Sequence, residues 1–163
     1  MYSAKPNFPR PFRPKLIPAV IISPDVARRE TKAVSKQLDW PDNTIFIESP
    51  ENADCPGNLL AAEVTFANIT ERVTAFGSHG KGSNRVAKEV VKMISNFLAS
   101  EATVGRNLAD RLLLPMALAG GGKIHTCTPS NHVKTNIEVM EKFLPVHFKI
   151  EPGLRGCHLI SVE

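Results

Sequence analysis

The chain has 163 residues, enough for one domain or two small ones, and its 42% apolar content suffices for a packed core. No apolar run approaches the roughly 20 residues a membrane helix needs. The opening MYSAKPNFPR lacks the apolar stretch of a secretory signal, so the expectation is a cytoplasmic protein with no membrane partner. The net charge of +4 belongs to the start: Lys5, Arg10, Arg13 and Lys15 stand there without an acid, and the rest balances at 16 bases and 16 acids.

Residues 1–15 read as a disordered, Pro-rich basic leader. Six of the 13 prolines fall within residues 1–24, and proline fixes φ and removes a donor. The bland reading is a solvated tail; a basic tail is also suited to RNA phosphates. Leu16–Ile22 is apolar and β-branched and reads as a short strand, with Pro18 pointing to an edge. Residues 25–38 read as a helix capped by Asp25, with Val26, Arg29, Ala33, Val34 and Leu38 as its stripe. Thr44–Glu48 alternates like a strand, and SPENADCPGN over 49–58 is turn chemistry.

Leu59–Ala67 and Arg72–Phe76 read as a hairpin. Gly77–Gly82 is a glycine-rich loop, and Ser83 or Asn84 caps a helix running to about Leu98. Its buried face is Val86, Val90, Val91, Ile94, Phe97 and Leu98. A break follows near Ser100–Val104. Gly105–Leu118 is Leu-rich and helical, with Pro115 kinking or ending it. Lys123–Thr128 is a strand. Ser130–Leu144 is a helix, or begins only at the internal Thr135-x-x-Glu138 box. Val146–Ile150 and His158–Val162 form a closing hairpin. The fold class is therefore α/β: a small α/β sandwich over 16–100, then a partial βαβαββ-type unit over 101–163. The second unit is thin for an independent core, and LLLPMALA calls for a larger partner surface.

Three features offer chemistry. GSHGKG stands between strand and helix, where backbone amides cradle phosphate, but it lacks the P-loop spacing, and a plain connection is the simpler reading. His132 opens a helix among small polar residues; it is either a nucleophile or acid–base group, or an ordinary surface histidine. Asp110 lies among leucines and, if buried, needs a partner. Cys55, Cys127 and Cys157 include no CxxC pair and read as free thiols in a reducing compartment. His125, Cys127 and His132 lie close together, but no fourth ligand is evident, which disfavours a structural zinc.

NITER (68–72), FLASEATVGRNLADRLLLPMALAGGG (97–122) and PSNHVKTNIEVMEKFLPVHF (129–148) resemble RNA 3'-terminal phosphate cyclases. Weaker similarity runs from VARRE (26–30) through CPGNLLAAEV (55–64), so the resemblance spans roughly residues 24–163. It implies an inserted small α/β domain over 16–100 and the last repeat of the catalytic domain over 101–163. In that family the histidine of P-S-x-H-x-x-T-N is adenylylated, which here is His132. The L-A-D aspartate, here Asp110, contacts ATP and its magnesium or manganese ion, and the resemblance implies that Asn107, Leu108, Ala109 and Arg111 beside it also bind the nucleotide. The implied reaction converts an RNA 3'-phosphate into a 2',3'-cyclic phosphate through a histidine–AMP intermediate.

Two positions depart from the family pattern. Arg111 stands where glutamine is common, and Asn107 where an aromatic residue or histidine is common. The resemblance then implies weaker adenine stacking at Asn107, with Arg111 paired either to phosphate or to Asp110. Family members are also longer, and their N-terminal half brings further residues for ATP and for RNA. The chain is thus expected to be a truncated or split enzyme. The alternatives are the family's non-catalytic ribosome-assembly branch, which lacks the adenylylated histidine, and an inactive fragment.

Overall fold

The computed structural model describes residues 12–20, 24–46 and 57–163. The expected course of residues 1–11, and Cys55, lie outside them. By its internal contacts the chain divides between Leu98 and Ala99.

The first unit holds strands β1 (Arg13–Val20), β2 (Asn58–Thr65) and β3 (Thr70–Phe76), with helices α1 (Pro24–Leu38) and α2 (Ser83–Ala99). The sheet is antiparallel in the order β1-β2-β3. Strand β1 begins at Arg13, so Arg13–Lys15, read from sequence as leader, are strand. Among the described residues β1 pairs fully only with β2 and meets Ile45 through a single parallel bridge from Leu16, which suits the prolines of an edge strand. The expected strand at Thr44–Glu48 contracts to that bridge within the described residues. Asp42–Thr44 instead form a short 3-10 turn, in which Thr44 Oγ1 donates to the Pro41 carbonyl at 2.7 Å.

Helix α1 buries Ala27, Glu30, Thr31, Val34, Ser35 and Leu38. Of the expected stripe only Val34 and Leu38 are buried, because polar residues take part of the inner face. Thr31 Oγ1 donates to the Ala27 carbonyl at 2.8 Å, and Asn58 Nδ2 donates to Glu30 Oε1 at 2.6 Å. Asp25 is not the cap; it lies in the first turn and accepts from Arg28. Helix α2 buries Val86, Ala87, Val90, Ile94, Phe97 and Leu98, while Val91 is only half-buried. Ser83 and Asn84 are its first residues rather than its cap, and the Gly82 carbonyl accepts from Arg85 and Val86.

The second unit holds α3 (Arg106–Leu118), β4 (Gly122–Cys127), α4 (Asn131–Phe143), β5 (Phe148–Pro152) and β6 (Cys157–Val162). Its sheet is antiparallel in the order β4-β6-β5, and a parallel bridge from Val104 to Thr126 adds a one-residue remnant of a leading strand. Together these elements give the expected βαβαββ-type succession. One core joins Leu113 and Ala117 of α3, Val133, Ile137 and Met140 of α4, and Phe148, Ile160 and Val162 of the sheet. Pro115 does not end α3. The carbonyl left without a helical donor is that of Arg111, an exposed residue. Nor does α4 start at Thr135: Ser130 caps it, its side chain accepting from the Val133 N–H at 3.2 Å. Among the described residues no helix is long and apolar enough to cross a membrane.

Candidate active site

Helices α3 and α4 lean on each other through their buried stripes, which turns one polar corner of each toward the other. Asp110 adjoins the buried Ala109, and Asn136 adjoins the buried Ile137. Across this seam Asn136 Nδ2 donates to Asp110 Oδ1 at 2.8 Å. A second tether joins the helix entrances, where Arg106 Nε donates to the Thr128 carbonyl at 3.2 Å.

His132 lies four residues before Asn136, so the two share one face of α4 a single turn apart. The imidazole is exposed and has no partner among the described residues. It also stands in the first turn of α4. The backbone N–H groups of Asn131 and His132 have no acceptor within the helix, and the helix dipole favours an anion there. A free imidazole nitrogen beside an anion-attracting helix end suits attack on a phosphorus atom.

The five residues expected around the nucleotide divide by depth. Ala109 is buried and Leu108 half-buried, so their side chains serve the packing; Asn107, Asp110 and Arg111 are accessible. Arg111 makes no ion pair among the described residues, and the Asp110 oxygen suggested for it accepts from Asn136 instead. Asp110 is not buried, so it required no partner, and the one it has is a neutral amide. Asn136 received no role from the sequence, although its spacing of four from His132 was a usable signal.

Helical spacing carries this face further. Asn107, Asp110, Arg111, Leu114 and Leu118 follow one side of α3, and His132, Asn136, Val139 and Phe143 one side of α4. The first halves are polar. The second halves expose Leu114 (51%), Leu118 (69%), Val139 (46%) and Phe143 (82%). A cavity of about 410 Å³ in this unit, lined by Lys134 and His158 among others, includes neither His132 nor Asp110. The candidate site is an open face with an apolar lower half.

Among the described residues no three His, Cys, Asp or Glu side chains are grouped to hold a metal. Asp110 brings a carboxylate to the α3–α4 seam, which fits a magnesium-type ion held by one carboxylate with substrate phosphates and water.

Residues 51–150 match the family model described as RNA 3'-terminal phosphate cyclase, a stretch that contains both helices of the seam. The chain belongs to the RNA 3'-terminal phosphate cyclase family. It is 41% identical over 142 residues to the RNA 3'-terminal phosphate cyclase of Ralstonia nicotianae, covering 87% of this chain and 40% of that cyclase. The chain therefore spans well under half the length of this cyclase relative.

Proposed function

We propose that the chain carries the nucleotidyl-accepting part of an RNA 3'-terminal phosphate cyclase, with His132 as nucleophile. The observation that carries this reading is the Asn136–Asp110 hydrogen bond, which joins the two family segments one helical turn from His132. An imidazole nitrogen of His132 attacks the α-phosphorus of ATP; an N–P bond forms, the bond to the β-phosphate oxygen breaks, and pyrophosphate leaves. An oxygen of the RNA 3'-phosphate then attacks that phosphorus, breaking the N–P bond and returning the imidazole. The neighbouring 2'-hydroxyl, losing its proton, attacks the 3'-phosphorus, expels AMP and closes the ring. DNA lacks that hydroxyl, so the reaction requires RNA.

Asp110 is assigned to orient an ATP-bound magnesium or manganese ion, which would neutralise charge on the triphosphate. Asn107 and Arg111 lie on the same exposed face and are assigned to the nucleotide. Exposed Leu114, Leu118, Val139 and Phe143 support a further assignment: a polypeptide equivalent to the family's N-terminal half covers this face and completes the site. We place the reaction in the cytoplasm, where Cys127 and Cys157 remain thiols.

The test offers ATP and a 3'-phosphorylated RNA to the chain, alone and with a separately supplied N-terminal segment from a longer cyclase. The expected product resists phosphatase, does not form from an RNA with a 2'-deoxy terminal sugar, and is absent with His132→Ala. Undiminished product from His132→Ala refutes the assignment.

A further inference from the structure

The glycine-rich segment Gly77–Gly82 has no part in the His132 face. It lies in the first unit, on one side of a groove of about 920 Å³. The other side is α1, which turns Arg29, Lys32 and Lys36 into the groove. These cations are spaced by three and four residues, so they form a row on one helix face about 10 Å long. All three are exposed, and none forms a salt bridge among the described residues, although Arg29 is attracted by the buried carboxylate of its neighbour Glu30. Lys81, on the opposite side, is already engaged: its ammonium donates to the Phe76 carbonyl at 2.8 Å and to Glu89 at 2.7 Å.

The groove has a fixed shape. Asn58, 7% exposed, donates to the fully buried Glu30 of α1 and accepts from the Gly77 N–H at 2.8 Å through its carbonyl. A Cβ at Gly77 would meet Asn58 Nδ2 at 2.7 Å, so only glycine allows this approach. The Lys81 N–H donates to the Ser78 carbonyl, and Gly80, with φ +79°, takes the left-handed position of that turn. One chain of contacts, Glu30 to Asn58 to Gly77, thus links the cationic helix to the glycine loop. Glu30 brings the acid into this assembly, but its carboxylate is buried beneath the surface. What the walls present is positive charge and the free N–H groups opening the 17-residue α2.

We propose that this groove binds the sugar–phosphate backbone of single-stranded RNA, holding the strand whose 3'-end is the substrate. The inference rests on the cyclase reading for its choice of RNA. A row of unpaired cations repeating with the helix turn fits a repeating anion better than a single phosphate, and amide-rich loops suit phosphate oxygens. Among the described residues that line the groove the only ring is that of His79, and none is the aromatic platform that bases stack on. Binding is therefore indifferent to base sequence and to the sugar.

The test is fluorescence anisotropy of a labelled single-stranded RNA with the full chain across a salt series, without ATP. Replacing Arg29, Lys32 and Lys36 together by alanine is expected to weaken binding by roughly tenfold or more at low salt. It should also flatten the log–log salt slope by about 2, three contacts at ~0.7 each. Exposed Arg28, Lys88 and Lys92, which do not line the groove, replaced together by alanine provide the charge-matched control, expected to stay within twofold of the parent. Single-stranded DNA of the same sequence should bind within about twofold of RNA. Circular dichroism confirms that both variants fold.

No binding by the parent, equal losses in both variants, or no loss in the groove variant overturns the proposal. Polyglutamate displacing the RNA at equal charge concentration overturns it in favour of an acidic polypeptide. Transfer of AMP to His132 without RNA should be unchanged in the groove variant, so a failure here is separable from a failure of the cyclase reading.

Discussion

The two units differ in what they bury and what they leave exposed. Among the described residues the first buries Glu30, Thr31, Ser35, Thr44, Asn58 and Glu71, two of them carboxylates, whereas the second buries only the small hydroxyl residues Ser100, Thr126 and Ser161. Of the large apolar residues exposed among the described ones, it carries Phe46 and Phe76; the second carries Leu114, Leu118, Val139, Phe143, Ile150 and Leu154. Burying a carboxylate calls for a hydrogen-bond donor, and Asn58 supplies one to Glu30. A unit whose helices keep leucine and phenylalanine on the face that also carries its polar site has the character of an interface. Burial thus separates a self-contained module from one with a face left to cover.

The sharpest way to break this contrast is to compare neighbours on α3. Leu113 is fully buried in the second core, and Leu114 is half-exposed. Leu113→Ala is expected to cost about 2–5 kcal/mol in urea unfolding followed by circular dichroism. Leu114→Ser should change stability by no more than about 0.5 kcal/mol. Equal losses would mean that the exposed leucine is core after all.

A smaller effect is expected at the seam. Asp110→Ala removes the acceptor of the Asn136 amide and the proposed ATP contact. Calorimetric titration should show ATP binding about tenfold weaker, close to 1.4 kcal/mol. Unchanged affinity would detach Asp110 from the nucleotide.

The smallest effect concerns the first unit's buried acid. Burial pushes the Glu30 carboxyl above its ordinary range, and the Asn58 hydrogen bond, Lys81 and Arg29 oppose that rise without cancelling it. The folded state therefore binds the Glu30 proton more tightly than the unfolded state. Its contribution to stability is full at acid pH below the ordinary carboxyl value and is lost as pH rises through the raised one. Glu30→Gln should gain melting temperature over the parent at neutral pH, and the gain should vanish under acid conditions. A gain that grows toward acid pH would contradict the burial argument.

Where apolar spacing and burial coincide, the sequence was a good guide. Val86, Val90, Ile94, Phe97 and Leu98 of α2 lie inside as their period requires. On α1 the same method found Val34 and Leu38 but missed the rest of the inner face, where Glu30, Thr31 and Ser35 stand. No apolar count finds a glutamate whose partner, Asn58, stands 28 residues away. Thr44 likewise found its partner within a local turn and left the strand its alternation suggested. At the candidate site, His132 and Asp110 came from family resemblance. The role of Asn136 required the packing of α3 on α4, which sets two helices that are separate in sequence at hydrogen-bonding distance.

The most direct measurement is to map the adduct by peptide mass spectrometry after incubation with ATP and magnesium or manganese, adding the N-terminal segment if the chain alone stays unmodified. The account predicts one AMP, labile to acid, on the peptide containing His132. An AMP on Lys81 or any other residue, or an adduct that persists in His132→Ala, would contradict it.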